Sequence, residues 1–196
     1  AGNSYAREQL AKIGLSAGKL KALNNGTTIV WPSAPVGQPD TIETLTAPRS
    51  ITLDRPATTI SFIGAGLNGG GQNTATVTLD NGATGTADYS FGDWVLPSKN
   101  GSRDDGTLAP VWDNTAVGWT PVRNANSSDP GAYVFATRPY TAPEGTHVVS
   151  VTLPKTNLAR IFTIAQNAPR VAGASGQVEA GHEIAVAGTG FGPGEK

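Results

Sequence analysis

The chain contains no cysteine and no methionine. Without cysteine there is no disulfide, no thiol nucleophile and no thiolate metal ligand. Charge is also sparse. Asp, Glu, Lys and Arg make up 15% of the 196 residues, against about 25% in an ordinary soluble domain. The 14 basic and 15 acidic residues nearly cancel, leaving a net −1. No Lys/Arg stripe or cluster is present, so a nucleic-acid partner is not expected; phosphate binding needs concentrated positive charge. Long apolar runs are missing as well. None approaches the roughly 18 residues of a membrane helix, so insertion into a membrane by a helix is not expected. There are only two histidines, His147 and His182. Neither has a partner at metal-ligand spacing, so zinc is not expected.

What fills the space is 25 Gly and 14 Pro, with many Thr, Ala and Asn residues. That mixture suits many short strands joined by turns; long helices would need more Glu, Lys, Leu and Gln. A chain of this length can bury a substantial core. It opens on a polar, turn-rich segment, and the expectation is a module cut from a longer protein.

One helix is predicted, over residues 4–15. Ala6, Leu10 and Ile13 form its apolar stripe, Ser4 is the candidate N-cap and Gly14 the candidate stop. The helix is expected to pack on a sandwich edge. Strands are predicted over 27–31, 50–53 and 58–63, with an irregular, proline-rich run over 32–40 between the first two. The strongest local signal is a hairpin. Ala75, Val77 and Leu79 alternate with Thr74, Thr76 and Thr78, and the second arm places Ala83, Gly85, Ala87, Tyr89 and Phe91 on one face. A two-residue loop would mix the faces. A three-residue loop, Asp80-Asn81-Gly82 with Gly82 left-handed, sets Leu79 opposite Ala83, Val77 opposite Gly85 and Ala75 opposite Ala87. Residues 97–129 lose the alternation and read as a long loop. Strands return over 133–137, over 147–153 with Val149, Val151 and Leu153 on one face, and over 159–165.

The fold class expected is all-β: an antiparallel two-sheet β-sandwich of jelly-roll or galactose-binding-like type, with a short N-terminal helix. Residues 1–168 form this module. Residues 169–196, with a strand-like stretch at 183–187, read as a linker and the truncated start of an immunoglobulin-like module.

Several ordered segments carry a resemblance: Ile13-Gly14-Leu15, Thr28-Ile29-Val30-Trp31-Pro32, Gly37-Gln38-Pro39-Asp40, Phe62-Ile63-Gly64, Thr74-Ala75-Thr76-Val77-Thr78, Phe91-Gly92-Asp93-Trp94, Tyr133-Val134-Phe135-Ala136-Thr137 and Val151-Thr152-Leu153-Pro154. In this order, over about residues 4–168, the chain resembles an accessory β-sandwich module of large exported actinobacterial glycoside hydrolases, α-mannosidase-like and related exo-glycosidases. The resemblance implies a secreted or cell-surface, multimodular bacterial parent and an immunoglobulin-like neighbour downstream. It implies as partner a glycan or the parent's catalytic domain, and it brings no catalytic residue. The module is expected to be a monomer and not an enzyme.

The chemistry available agrees with that expectation. Gly64-Ala65-Gly66-Leu67-Asn68-Gly69 spells Gly-x-Gly-x-x-Gly, but no helix follows, and it reads as a loop. Glycoside hydrolysis needs two carboxylates across one bond, and nothing in the sequence fixes such a pair. Calcium takes several oxygen ligands, and Asn100, Asp104 and Asp105 could supply them. Asp-Asp-Gly is also an ordinary turn sequence. The sharpest binding candidates are aromatic: Trp94 beside Asp93, Trp112 beside Asp113, and Trp119 close to Arg123 and Asn124. A sugar stacks its C–H face on a flat ring and presents its hydroxyls to such polar groups. Packing is the competing role, since Trp is usually highly buried. Trp31 reads as core. Strict alternation turns Trp94 outward, and a bulge at Gly92 would turn it inward. The alternatives to sugar binding are a structural spacer and a surface adhesion or protein-binding module. Asn25, Asn100 and Asn126 head Asn-x-Ser/Thr triplets, read as chance in a bacterial protein.

Overall fold

The computed structural model describes residues 4–5, 7–35, 38–67, 71–92, 94, 114–120, 122–123, 132–167, 170–175 and 185–189. In chain order the elements are β1 (Ser4–Tyr5), α1 (Arg7–Lys12), β2 (Leu20–Ala22), β3 (Thr27–Val30), β4 (Arg49–Ala57), β5 (Thr59–Gly66), β6 (Gly71–Leu79), β7 (Thr84–Phe91), β8 (Asn114–Thr120), β9 (Val122–Arg123), β10 (Ala132–Thr137), β11 (Tyr140–Thr141), β12 (Val148–Leu153), β13 (Ala159–Asn167), β14 (Arg170–Ser175) and β15 (Ala185–Thr189).

Two antiparallel sheets form the sandwich. The larger runs β2-β3-β13-β5-β10-β8, with β11 paired to β5; the smaller runs β4-β12-β6-β7. β1 pairs with β9, and β14 with β15, in two further two-stranded sheets. The core between the large sheets contains Ile60, Phe62, Phe135, Ile161 and Ile164 from one side, and Ala75, Val77, Ala87, Tyr89, Phe91, Val148, Val151 and Leu153 from the other. Burying one such side chain contributes about 1.5–3 kcal/mol, so this layer dominates the stability of the sandwich.

The 80–82 hairpin adopts the register that alternation predicts. Ala75 faces Ala87 and Val77 faces Gly85. Leu79 N donates to Ala83 O at 2.8 Å, and Gly82 turns the chain at φ +83°. The three-residue loop is thus closed by a left-handed glycine.

Elsewhere local pattern and structure part. The helix is shorter than residues 4–15, because Ser4 belongs to β1. Its end follows the sequence. Gly14 has φ +81°, Leu15 N donates to Leu10 O at 2.8 Å, and Gly14 N donates to Ala11 O at 3.0 Å. These are the paired bonds of a Schellman cap, and the accompanying Leu10–Leu15 apolar contact is buried. Nor does α1 sit on an edge. Leu10 and Leu15 join Ile29, Trp31, Ile63, Val134, Ala136, Phe162 and Ala165 in a second core on the other face of the larger sheet. Strands β5, β10 and β13 are therefore apolar on both faces, which hides their alternation.

Two bulges re-aim side chains. The register of β12 shifts between Val148 and Ser150. Val148 is buried in place of Val149, so the predicted face of Val149, Val151 and Leu153 becomes Val148, Val151 and Leu153. A shift between Ile161 and Thr163 in β13 changes the parity of alternation, so Ile161 and Ile164, three positions apart, share one core while Phe162 and Ala165 share the other. β4 outruns its predicted end at 53 and contains Pro56. It lies at the margin of the smaller sheet, where proline is tolerated. Residues 64–66 are strand rather than loop, and residues 114–120 and 122–123, read as part of a long loop, are strands too. In the tail, Arg170–Ser175, read as linker, is a strand, and residues 185–187 of the predicted stretch 183–187 lie in the strand Ala185–Thr189, while 183–184 lie outside the described residues. No helix among the described residues is long and apolar enough to cross a membrane.

Candidate functional site

Trp31 is buried and packs against Phe162 at 5.0 Å between ring centroids. Trp94 is half-buried against the inter-sheet core. Its backbone is held on both sides: Trp94 N donates to Gly66 O at 3.0 Å, and Trp94 O accepts from Tyr133 N at 2.9 Å. Tyr5 meets its ring edge-on at 5.6 Å, and Tyr5 Oη donates to Tyr133 O at 2.6 Å. Trp119 lies on β8 opposite Tyr133, and Arg123 on β9 opposite Ser4. Asp93, Trp112, Asp113 and Asn124 lie outside the described residues, as do the calcium candidates Asn100, Asp104 and Asp105.

The hairpin builds a different site. At the β7 margin of the smaller sheet is a cleft of about 510 Å³, lined by Gln72, Asn73, Thr74, Asp88, Tyr89, Ser90, Thr137 and Arg138. Its volume falls in the range of small-ligand sites. Gln72, Thr74, Asp88 and Arg138 are exposed, so the cleft opens to solvent; Tyr89 and Thr137 are buried at its back.

The register explains why Asn73 and Tyr89 meet there. They are Cα partners, one rung beyond the inward pair Ala75–Ala87 on the same face. Tyr89 is 3% exposed and packs on Phe62 at 4.5 Å and Phe91 at 5.8 Å. The ring is core, while its hydroxyl has no partner. Among the described residues, three buried side-chain polar atoms lack a hydrogen bond: Arg55 Nε, Asn73 Nδ2 and Tyr89 Oη. Two of the three line this one cleft. Leaving such a group unsatisfied costs about 1–3 kcal/mol, and both atoms are sealed from solvent. Burial pushes the Tyr89 phenol well above its ordinary value, so it stays an O–H donor at neutral pH.

The rest of the wall is fixed. Thr74 Oγ1 donates to Asp88 Oδ1 at 2.6 Å. Thr137 Oγ1 accepts from Phe62 N at 3.0 Å, and Thr137 O accepts from Asn25 Nδ2 at 3.4 Å. Asn25 is a structural residue. Its Nδ2 also donates to Ser61 Oγ, while its Oδ1 accepts from Thr27 N and Thr27 Oγ1. Asn100 and Asn126 lie outside the described residues.

Alternation did hold one signal for this cleft: Asn73 is a polar amide on the otherwise apolar face of Ala75, Val77 and Leu79. Among the described residues of the lining, Asp88 is the one carboxylate. The described lining offers hydrogen-bond donors and acceptors to the solvent side of the cleft. Comparison with protein-family models and with curated proteins returns no match for this chain.

Proposed function

We propose that the chain is a non-catalytic, carbohydrate-binding β-sandwich module of a secreted, multimodular glycoside hydrolase. The observation that carries this reading is the polar cleft beside β7, with two buried, unpartnered groups at its back. A saccharide presents many hydroxyls on a rigid ring. Gln72, Thr74, Asp88 and Arg138, exposed at the cleft, are of the polar types that hydrogen-bond such a ligand. The ordered resemblance to accessory modules of exported glycosidases points the same way. Calorimetric titration of the chain against a panel of plant, fungal and bacterial glycans tests it. Saturable binding to at least one class is expected; no binding to any would sink the reading.

A spacer or protein-binding role is the second reading, and one observation favours it. Leu20 and Val30 are 65% and 50% exposed and face each other on β2 and β3 at the margin of the larger sheet. A neighbouring domain seated there would cover both.

A further inference from the structure

We infer that Asn81, in the turn between β6 and β7, is a site of spontaneous deamidation, and that the fold protects Asn25, in the turn between β2 and β3, from the same reaction. The inference is independent of the sugar reading.

The chain builds one turn twice, from Leu23-Asn24-Asn25-Gly26-Thr27 and from Leu79-Asp80-Asn81-Gly82-Ala83. Each is a three-residue hairpin loop with a left-handed glycine, at φ +82° for Gly26 and +83° for Gly82. Leu23 N donates to Thr27 O, and Leu79 N to Ala83 O, both at 2.8 Å. Gly26 N donates back to Leu23 O at 3.2 Å, and Gly82 N to Leu79 O at 2.9 Å. Each Asn Oδ1 accepts from the backbone N two residues on, from Thr27 at 3.1 Å and from Ala83 at 3.0 Å. That bond folds the side-chain carbonyl over the glycine that follows.

An Asn-Gly pair supports an intramolecular reaction. The glycine N bonds to the Asn Cγ and closes a cyclic imide. The Cγ–Nδ2 bond breaks, and Nδ2 leaves as ammonia with the proton that the backbone nitrogen gives up. Water then opens the ring at either carbonyl, to aspartate or to isoaspartate. Glycine has no side chain to obstruct the attack. Its N–H must first leave the leucine carbonyl, so the reaction needs local opening of the turn.

With the backbone shared, the side-chain surroundings decide. Asn25 Nδ2, the leaving nitrogen, donates to Ser61 Oγ at 3.0 Å and to Thr137 O at 3.4 Å. Thr27 Oγ1 adds a second bond to Oδ1 at 2.7 Å. Deamidation there must break these bonds and would aim a carboxylate at the Thr137 carbonyl, which has no proton to share. Asn81 is exposed, and among the described residues its side chain is held by Ala83 N. Aspartate at this position keeps an acceptor for Ala83 N. Isoaspartate adds a backbone carbon to a loop whose register allows three residues, next to the Asp80–His147 fastening.

The experiment holds the 196-residue chain in mildly alkaline buffer, folded and, in parallel, unfolded in guanidinium chloride. Peptide mapping by mass spectrometry follows amide-to-acid conversion at each site. Asn68-Gly69 and Asn100-Gly101, outside the described residues, are read on their own peptides. In the unfolded chain Asn25 and Asn81 are expected to convert at similar rates. In the folded chain Asn81 is expected to convert about tenfold faster or more, given the net worth of the bonds that hold Asn25. Ser61→Ala, which removes one partner of Asn25 Nδ2, is expected to speed conversion at Asn25 and leave Asn81 unchanged. The comparison within the unaltered chain stands whether or not that variant folds. Equal rates in the folded chain, or a faster Asn25, would overturn the inference. So would a folded chain that keeps Asn81 intact while the unfolded chain loses it, because the turn itself would then be the shield.

Discussion

Asp80 and His147 show how a single pair of side chains can tie a turn to a neighbouring strand. Asp80 Oδ2 lies 2.8 Å from His147 Nδ1, Asp80 Oδ1 accepts from His147 N at 3.2 Å, and Asp80 N donates to His147 O at 2.9 Å. The hairpin turn is thereby fastened to the residue just before β12. The ring hydrogen bond from His147, and then its backbone N–H, hold the Asp80 carboxyl below its ordinary 3.8. A carboxyl depressed in the folded state contributes stability above its unfolded value, and that contribution is lost as pH falls through the depressed one. The window therefore lies below about pH 4. Following the Asp80 carboxyl carbon by NMR, His147→Ala should move its midpoint up towards 3.8. An unmoved midpoint would show that the pair does not set it. Nothing in the sequence linked these residues, because 67 positions separate them and the chemistry of either is ordinary.

At the scale of elements, legibility depended on whether one face or two were buried. The β6–β7 hairpin has one buried face and a turn that admits a single register, so alternation located Ala75, Val77, Leu79, Ala87, Tyr89 and Phe91 as inward; Ala83, at the turn, is exposed, and Asn73 was not read. The bulge in β12 is set by its partners β4 and β6, and no local pattern announces it. β5 is buried from Ile60 to Gly66, so alternation stops it too early, and its glycines read as a loop. Gly64 has a packing reason to be glycine. A Cβ there would strike the Arg160 carbonyl of β13 and stand 2.8 Å from the Phe91 ring. Gly82 differs, since a Cβ would meet nothing within 4 Å and only its positive φ resists substitution. Gly64→Ala should therefore cost about 3 kcal/mol or more, at the severe end of overpacking, and Gly82→Ala about 1–2 kcal/mol. Urea unfolding of the two variants checks the order. Equal costs would mean that β5 and β13 have room to part.

Considered whole, the molecule has two apolar layers, one on each face of the larger sheet. Composition and turn spacing made the sandwich legible. They could not place α1 over the outer face, because Leu10 and Leu15 reveal their partners only when β5, β10 and β13 are assembled. The candidate site was harder to read for a related reason. Of the tryptophans, Trp31 packs in the core, as read from the sequence, and Trp94 is half-buried against the inter-sheet core, while Trp112 lies outside the described residues. The cleft instead uses an amide and a phenol sixteen positions apart in sequence, joined by hairpin register. The central claim is that this cleft is where the chain meets sugar. Backbone amide NMR of the intact chain, titrated with neutral oligosaccharides, tests it most directly. The account predicts saturable shifts concentrated at residues 72–74, 88–90 and 137–138. Shifts confined to another surface, or none with any sugar, would contradict it.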